Sequence, residues 1–335
     1  MATLNPAILP AVSAVRDAAQ RLRSFLPPSR LVRSHALSDA IGVEVWFKLE
    51  LENPTGSFKV RGAYNVLAGL SDAERARGVV ASSAGNHGLG VAYAAKAFKT
   101  PAMLYVPSNA PQVKKDGIRA LGAIVNDEAP DYDAAMVVAK AHAAREGIRY
   151  INPCLGLDLL AGQGTVALEV LEQLPSVQTI MICTGGGGLL GGMGAVLRAL
   201  APTVRVVGVQ TVETAAMSTS VQAGHVVDWP STPTLADGLA GQIDDDALHI
   251  GQGVRRRAAG RLRRGTRRND RVAAAHRRHG GRGRWRGHRG GAASRSSQGA
   301  VGATRGGRER TQHRSPATRY LVGAASGLIA RTAGE

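Results

Sequence analysis

Between residues 43 and 210 the sequence alternates short strand-favouring runs with amphipathic segments, and this alternation constrains the fold more than any other feature. VEVWFKLE (43–50) reads as a strand and FKVRGAYNVLAGL (58–70) as a helix. GVVASS ends a strand, and GNHGLGVAYAAKAF is a helix started by glycine. AMLYVP, AIVND, RYIN, TIMICT and VRVVGVQ read as further strands. APQVKKDGIRALG, DYDAAMVVAKAHAAREG, GQGTVALEVLEQL and LLGGMGAVLRALA read as the helices between them. Such a chain builds doubly wound α/β structure, with mostly parallel sheets covered by helices on both faces. Ligands of these sheets sit at the carboxyl ends of the strands. The loops that follow strands are therefore where chemistry is expected.

The alternation stops at Gly253. Beyond it no period of about two or about 3.6 is sustained, and Arg, Gly, Ala and His dominate. Of the 42 Lys and Arg, 22 fall after Gly253, all of them Arg, with only three of the 25 acids. Residues 1–253 thus hold 20 basic against 22 acidic side chains, and the formal +17 belongs to the tail. The body is slightly acidic, which gives no reason to expect a polyanion partner there. At 335 residues the chain has room for about two domains. No stretch is apolar for long enough to cross a bilayer. MATLNPAILPAVSAVRDAAQ has no charged leader before an apolar block, so no signal peptide is expected. Cys154 and Cys183 are in no metal or redox spacing and read as small core residues of a cytoplasmic protein.

Three loops carry candidate chemistry. In NPTGSFKVRGA, Lys59 starts a helix; alone it also reads as a solvated helix residue. In SSAGNHG (82–88) a Gly-Asn pair opens a helix directly after a strand, and Ser83 or Asn86 could simply cap it. TGGGGLLGG (184–192) places four glycines between a strand and a helix, exposing backbone N–H groups that can cradle an anion. Gly186, Gly188 and Gly191 also fit G-x-G-x-x-G, the dinucleotide fingerprint. That reading wants an acid at the end of the next strand, where Gln210 stands, with Glu213 beyond it.

Taken together, the loops resemble the pyridoxal-phosphate enzymes of the tryptophan-synthase-β fold (fold type II), within them the threonine/serine dehydratase and serine racemase group. The resemblance covers about residues 25–253 and rests on TGSFKVRGA, SAGNHG, AGQGT (161–165), GGGGL (185–189) and ADGLA (236–240), in that order. It implies a large cofactor-binding domain from 1–69 and 150–253, with a small α/β domain, 70–149, inserted in it. Lys59 would form the Schiff base with the cofactor aldehyde and then act as base, beside Phe58. Asn86 would hydrogen-bond the ring's phenolic oxygen. Gly185, Gly186, Gly187, Gly188 and Leu189 would hold the cofactor phosphate. The segment Ser83, Ala84, Gly85, Asn86 and His87 would bind the substrate carboxylate.

The resemblance also bears on the reaction. Racemases of this group resemble SSGNHG, with a serine that delivers a proton on the face opposite the lysine. Here that residue is Ala84, as in dehydratases, and alanine carries no proton. Elimination from L-threonine or L-serine is the expectation, giving a 2-oxo acid and ammonia, with the cofactor phosphate protonating the departing hydroxyl. Serine racemisation or dehydration of another 3-hydroxy amino acid is the alternative within the family. The carboxylates of the family's divalent-cation site correspond here to Gln210 and Ala216, with Glu213 reading as a solvated helix-start residue, so no metal is expected. The chain is too short for the regulatory domain of the isoleucine-inhibited biosynthetic dehydratases, so a catabolic or unregulated enzyme fits better. A homodimer or homotetramer is expected for an intact C-terminus.

The family continues after ADGLA with an E-G-A-G-A segment and an S-G-G-N loop, neither visible here. A GC-rich gene read out of frame yields Arg, Gly, Ala and His in excess. In RGRWRGH (282–288), Trp285 must be TGG; with CGN for arginine, the next base onward reads GGC, glycine. Around that glycine the displaced codons permit E-G-A-G-A-V-T. Residues 261–265 permit V-S-D-E, 307–309 permit G-G-N and 312–314 permit N-I-D, although the serine before G-G-N is not recovered. A displaced frame from about residue 254 is therefore the favoured reading. It implies a poorly soluble, weakly active polypeptide, since lost elements would expose apolar surface and strand edges. A genuine Arg-Gly arm that binds nucleic acid would be expected to interleave aromatics, yet this tail has only Trp285 and Tyr320. A solvated linker is the third reading.

Overall fold

The computed structural model describes residues 8–230, 232–257, 263–265 and 319–322. The N-terminal part runs through α1 (Val12–Leu22), β1 (Leu31–Arg33), α2 (His35–Ile41), β2 (Glu44–Lys48) and α3 (Lys59–Gly69). A second set follows: α4 (Asp72–Arg77), β3 (Val79–Ser82), α5 (Asn86–Ala97), β4 (Ala102–Pro107), α6 (Gln112–Ala120), β5 (Ile124–Ala129), α7 (Tyr132–Glu146) and β6 (Arg149–Tyr150). The chain then forms α8 (Leu157–Gln173), β7 (Thr179–Cys183), α9 (Gly188–Leu200), β8 (Arg205–Thr211), α10 (Ala216–Ala223) and α11 (Asp245–Arg257). Two short strands of the tail complete it, β9 (Arg263–Gly265) and β10 (Arg319–Val322).

There are two sheets among the described residues. One has the order β1-β2-β10-β7-β8-β9, parallel apart from the β1–β2 pair. The other, β5-β4-β3-β6, is parallel throughout. The β3 run Val-Val-Ala-Ser is buried at every position, as expected for a parallel strand covered on both faces. One of its faces packs on α3 and α5 through Leu67, Val91 and Ala95. The other packs on α7, whose Ala135, Ala139 and Ala143 recur every fourth residue. Helix α8 is buried from Leu159 to Ala167 and packs against α3 on one side and α9 on the other.

Each sheet changes winding direction at the strand whose following loop was singled out. From β3 the chain passes to β4 on one side, while β6 lies on the other. From β7 it passes to β8, with β10 on the opposite flank. A crevice opens beyond the strand ends at such switch points. The loops at 83–87 and 184–188 therefore open into crevices.

Two expectations change. Helix α8 begins five residues before GQGT, at Leu157. Its N-cap is Gly156 with φ 108° and no capping side chain, so the usual start signal is missing. The tail, which shows no sustained period, nonetheless supplies the end of α11, the edge strand β9 and the inner strand β10. Strand pairing satisfies backbone N–H and C=O groups and needs no side-chain period. The gap between β2 and β7 is thus filled by pairing of Leu321 with both Trp46 and Ile180. The displaced-frame readings at 282–288, 307–309 and 312–314 lie outside the described residues.

Candidate functional site

Lys59 is the first residue of α3, with Phe58 at the N-cap and the Ser57 hydroxyl accepting from its backbone N–H at 3.3 Å. Its half-buried side chain turns into the fold rather than into solvent. The ε-amine donates to the Pro153 carbonyl at 2.6 Å and lies 5.4 Å from the centre of the Phe58 ring. Helix α5, which carries the 82–88 loop, crosses the start of α3 closely. A Cβ on Gly90 would stand 3.1 Å from the Lys59 carbonyl carbon, so glycine permits this approach.

Gly85, and neither Ser83 nor Asn86, stands at the N-cap of α5, and no side chain caps the helix. The Ser83 hydroxyl instead accepts from the Gly85 N–H at 3.1 Å. The N–H groups of the first turn of α5 are therefore left for another acceptor. Asn86 and Ala84 are half-buried at this loop. His87 is 3% exposed, and its Nε2 bonds the Ile151 carbonyl at 3.0 Å. Burial, reinforced by the Lys59 charge, pulls the imidazole down to about 3, so it is neutral near pH 7 and Nε2 donates that bond. His87 can thus offer a ligand its backbone N–H while its ring holds the chain end after β6.

That chain end brings the lysine and the glycine loop together. Cys154, read from the sequence as a core residue, is half-buried with Sγ 3.9 Å from Lys59 Nζ. Its position is set by Asn152, whose Oδ1 accepts from the backbone N–H of Cys154 at 2.8 Å and of Leu155 at 2.9 Å. A Cβ on Gly186 would lie 2.5 Å from Cys154 Sγ, so the glycine loop is in direct contact with the thiol. The loop runs into α9, which also lacks a side-chain cap, and the ADGLA segment packs over Gly185 through Leu239.

Beneath Lys59 lies a buried charge cluster that sequence reading missed. The Arg61 guanidinium bonds Glu50 at 2.7 and 2.8 Å and Glu169 at 2.5 and 3.0 Å. Lys48 adds a 2.5 Å bond to Glu169 and a 2.7 Å bond to the Ser29 carbonyl. Burial opposes the charge on Arg61, but Glu50 and Glu169 outweigh it and raise the guanidinium above its ordinary value. Burial also opposes ionisation of Glu169, but Arg61 and Lys48 hold its carboxyl below the usual range. The cluster ties α3, α8 and the end of β2 together two residues from Lys59. Its members are far apart in sequence, and no local pattern marks them.

The sequence profile described as "Pyridoxal-phosphate dependent enzyme" matches residues 22–260. The chain belongs to that family. It is 41% identical to an L-threonine ammonia-lyase of Thermotoga maritima over 68% of this chain and 56% of that protein, so it spans little more than half of that relative. It is 32% identical to a serine racemase of Oryza sativa subsp. indica, over 70% of this chain and 69% of that one. Maize serine racemase has a similar solved structure, with TM-score 0.75 and 28% identity over 80% of each chain.

Pyridoxal phosphate is the cofactor of this family, and the residues present fit it. The uncapped start of α9 offers N–H groups to a phosphate, and the contact of Cys154 with Gly186 places that loop beside the Lys59 amine. A serine–tyrosine pair near the site also went unread. The Ser82 hydroxyl meets the Tyr150 hydroxyl at 2.7 Å, and burial raises Tyr150 above the ordinary phenol range. Gln210 is committed within the fold, its Nε2 donating to the Thr214 carbonyl and its Oε1 accepting from the Ser218 N–H. Glu213 lies in a short turn, Val212–Thr214, rather than at the start of a regular helix.

Proposed function

We propose that this protein is a pyridoxal-phosphate-dependent ammonia-lyase that converts L-threonine or L-serine to a 2-oxo acid and ammonia. The observation that carries the reading is Lys59, a half-buried amine where the 83–87 loop, the glycine loop and the end of β6 converge. When bound, pyridoxal phosphate supplies the electron sink that makes the α-proton labile. Lys59 takes that proton at Nζ. The free N–H groups of the α5 start would bind and orient the substrate carboxylate, and Asn86 would hydrogen-bond the cofactor's phenolic oxygen. Gly185, Gly186, Gly187, Gly188 and Leu189 would hold the phosphate, and Phe58 would pack beside the cofactor. Ala84 offers no proton on the face opposite Lys59, which favours elimination over racemisation. The division into 1–69 with 150–253 and 70–149 belongs to the same proposal.

The likeness to serine racemases supports a second reading, in which L-serine and D-serine interconvert. Incubating the purified full chain and pyridoxal phosphate with L-threonine and L-serine separates the two. Oxo acid and ammonia with little D-serine supports the lyase; fast D-serine formation overturns it. RNA binding that weakens with salt would instead favour a working basic tail.

A further inference from the structure

Lys59 and Cys154 are a thiol–amine pair, with Sγ and Nζ 3.9 Å apart. Both residues are half-buried, so small solutes can reach them. One segment holds both partners: Pro153 accepts from the amine at 2.6 Å, and Asn152 fixes the backbone of Cys154. A partly exposed thiol whose sulfur already touches an amine needs no rearrangement for the two atoms to be joined once the sulfur is oxidised.

We propose that Cys154 and Lys59 form an oxidation-sensitive pair in which a hydroperoxide links Sγ to Nζ and thereby blocks cofactor loading. In the first step the Cys154 thiolate attacks a peroxide oxygen. The O–O bond breaks, an S–O bond forms, and with hydrogen peroxide a hydroxide leaves and becomes water; sulfur is oxidised by two electrons and the peroxide is reduced. In the second step the Lys59 amine attacks that sulfur. An S–N bond forms, the S–O bond breaks, and the hydroxyl departs as water with one amine proton. The product has lost one hydrogen from the thiol and one from the amine. Lys59 can then no longer condense with an aldehyde, whereas a lysine already joined to the cofactor is protected. A thiol reverses the link by attacking sulfur and returning the amine.

The bond forms without the cofactor, so its failure and the failure of the proposed function are separate results. The test treats the full chain, free of cofactor, with hydrogen peroxide and follows it by intact mass and peptide mapping. The expected result is loss of two hydrogens, peptides containing Lys59 and Cys154 joined to each other, and loss of pyridoxal phosphate uptake that dithiothreitol restores. Prior loading with pyridoxal phosphate prevents the link. Cys154→Ser does not form it, and Lys59→Arg leaves Cys154 carrying added oxygen instead. Oxygen added to Cys154 in the unaltered chain, with Lys59 unlinked, overturns the proposal, as does a link that persists in Cys154→Ser.

Discussion

The ε-amine of Lys59 donates a 2.6 Å hydrogen bond to the carbonyl oxygen of Pro153. This bond crosses from the start of α3 to the loop after β6 and holds the amine inside the crevice rather than along the surface of its own helix. On the proposed function, replacing Lys59 by Ala would remove both the anchor for the cofactor aldehyde and the base. We expect cofactor no longer trapped covalently by borohydride, and deamination slower by at least about a hundredfold. Absorbance and oxo-acid assays check this; near-normal turnover in the variant would remove Lys59 from the mechanism.

Ala84 lies in the loop before α5, where a hydroxyl could carry a proton. Ala84→Ser adds that group with little change in volume. We expect D-serine formation from L-serine to rise relative to oxo-acid formation. Chiral chromatography of the products measures the ratio, and an unchanged ratio would argue that position 84 does not face the substrate Cα.

The glycine loop touches Cys154 so closely that Gly186→Ala places its Cβ 2.5 Å from Sγ. Overpacking of this kind costs about 1–3 kcal/mol. Pyridoxal phosphate affinity is expected to fall about tenfold. Adding Cys154→Ala removes the nearer contact but leaves Cβ against Cβ at 3.2 Å, so part of the affinity should return. Titration of the cofactor into the single and double variants tests the coupling, and additive losses would disprove it.

Arg61 is 1% exposed and hydrogen-bonds two carboxylates. Arg61→Met removes its charge and leaves Glu50, itself 0% exposed, without that counter-charge. Loss of one partner in such a cluster costs about 3–5 kcal/mol. Urea unfolding should register this as a lower midpoint. An unchanged midpoint would show the cluster to be energetically idle.

His87 has its folded-state value lowered from 6.5 to about 3, by burial first and the Lys59 charge second. Between these values the unfolded chain binds a proton that the folded chain does not, so this group makes stability fall as pH drops from 6.5 towards 3. Above 6.5 its contribution is constant. The slope approaches about 1.4 kcal/mol per pH unit within that window. Glu169, held below its usual value of 4.5, adds a loss that begins near the acid end. His87→Gln should flatten the dependence of Tm on pH between 6 and 4.5, whereas an unchanged slope would show that His87 titrates normally.

Strand and helix placement was legible where the signal was local. AMLYVP reads as a strand and is β4, Ala102–Pro107, residue for residue. Lys59 stands at its helix start, and of the four glycines three lie between β7 and α9 while Gly188 opens α9 itself. The start of α8 was not legible because Gly156 gives no capping signal. Cys154 was misread because cysteine spacing speaks only of cysteines and metals, and its partner here is a lysine.

The sequence by itself determined the α/β class, the order of the cofactor motifs and hence the family, because period, turn glycines and motif order are properties of neighbouring residues. Only the tertiary structure decided which side chains meet. Cys154 reaches Lys59 across 95 residues, and Arg61 reaches Glu169 across 108. It also decided that a short stretch of the tail pairs between β2 and β7. Such contacts arise from sheet order and helix packing, which bring distant residues together on geometric grounds that no local pattern records.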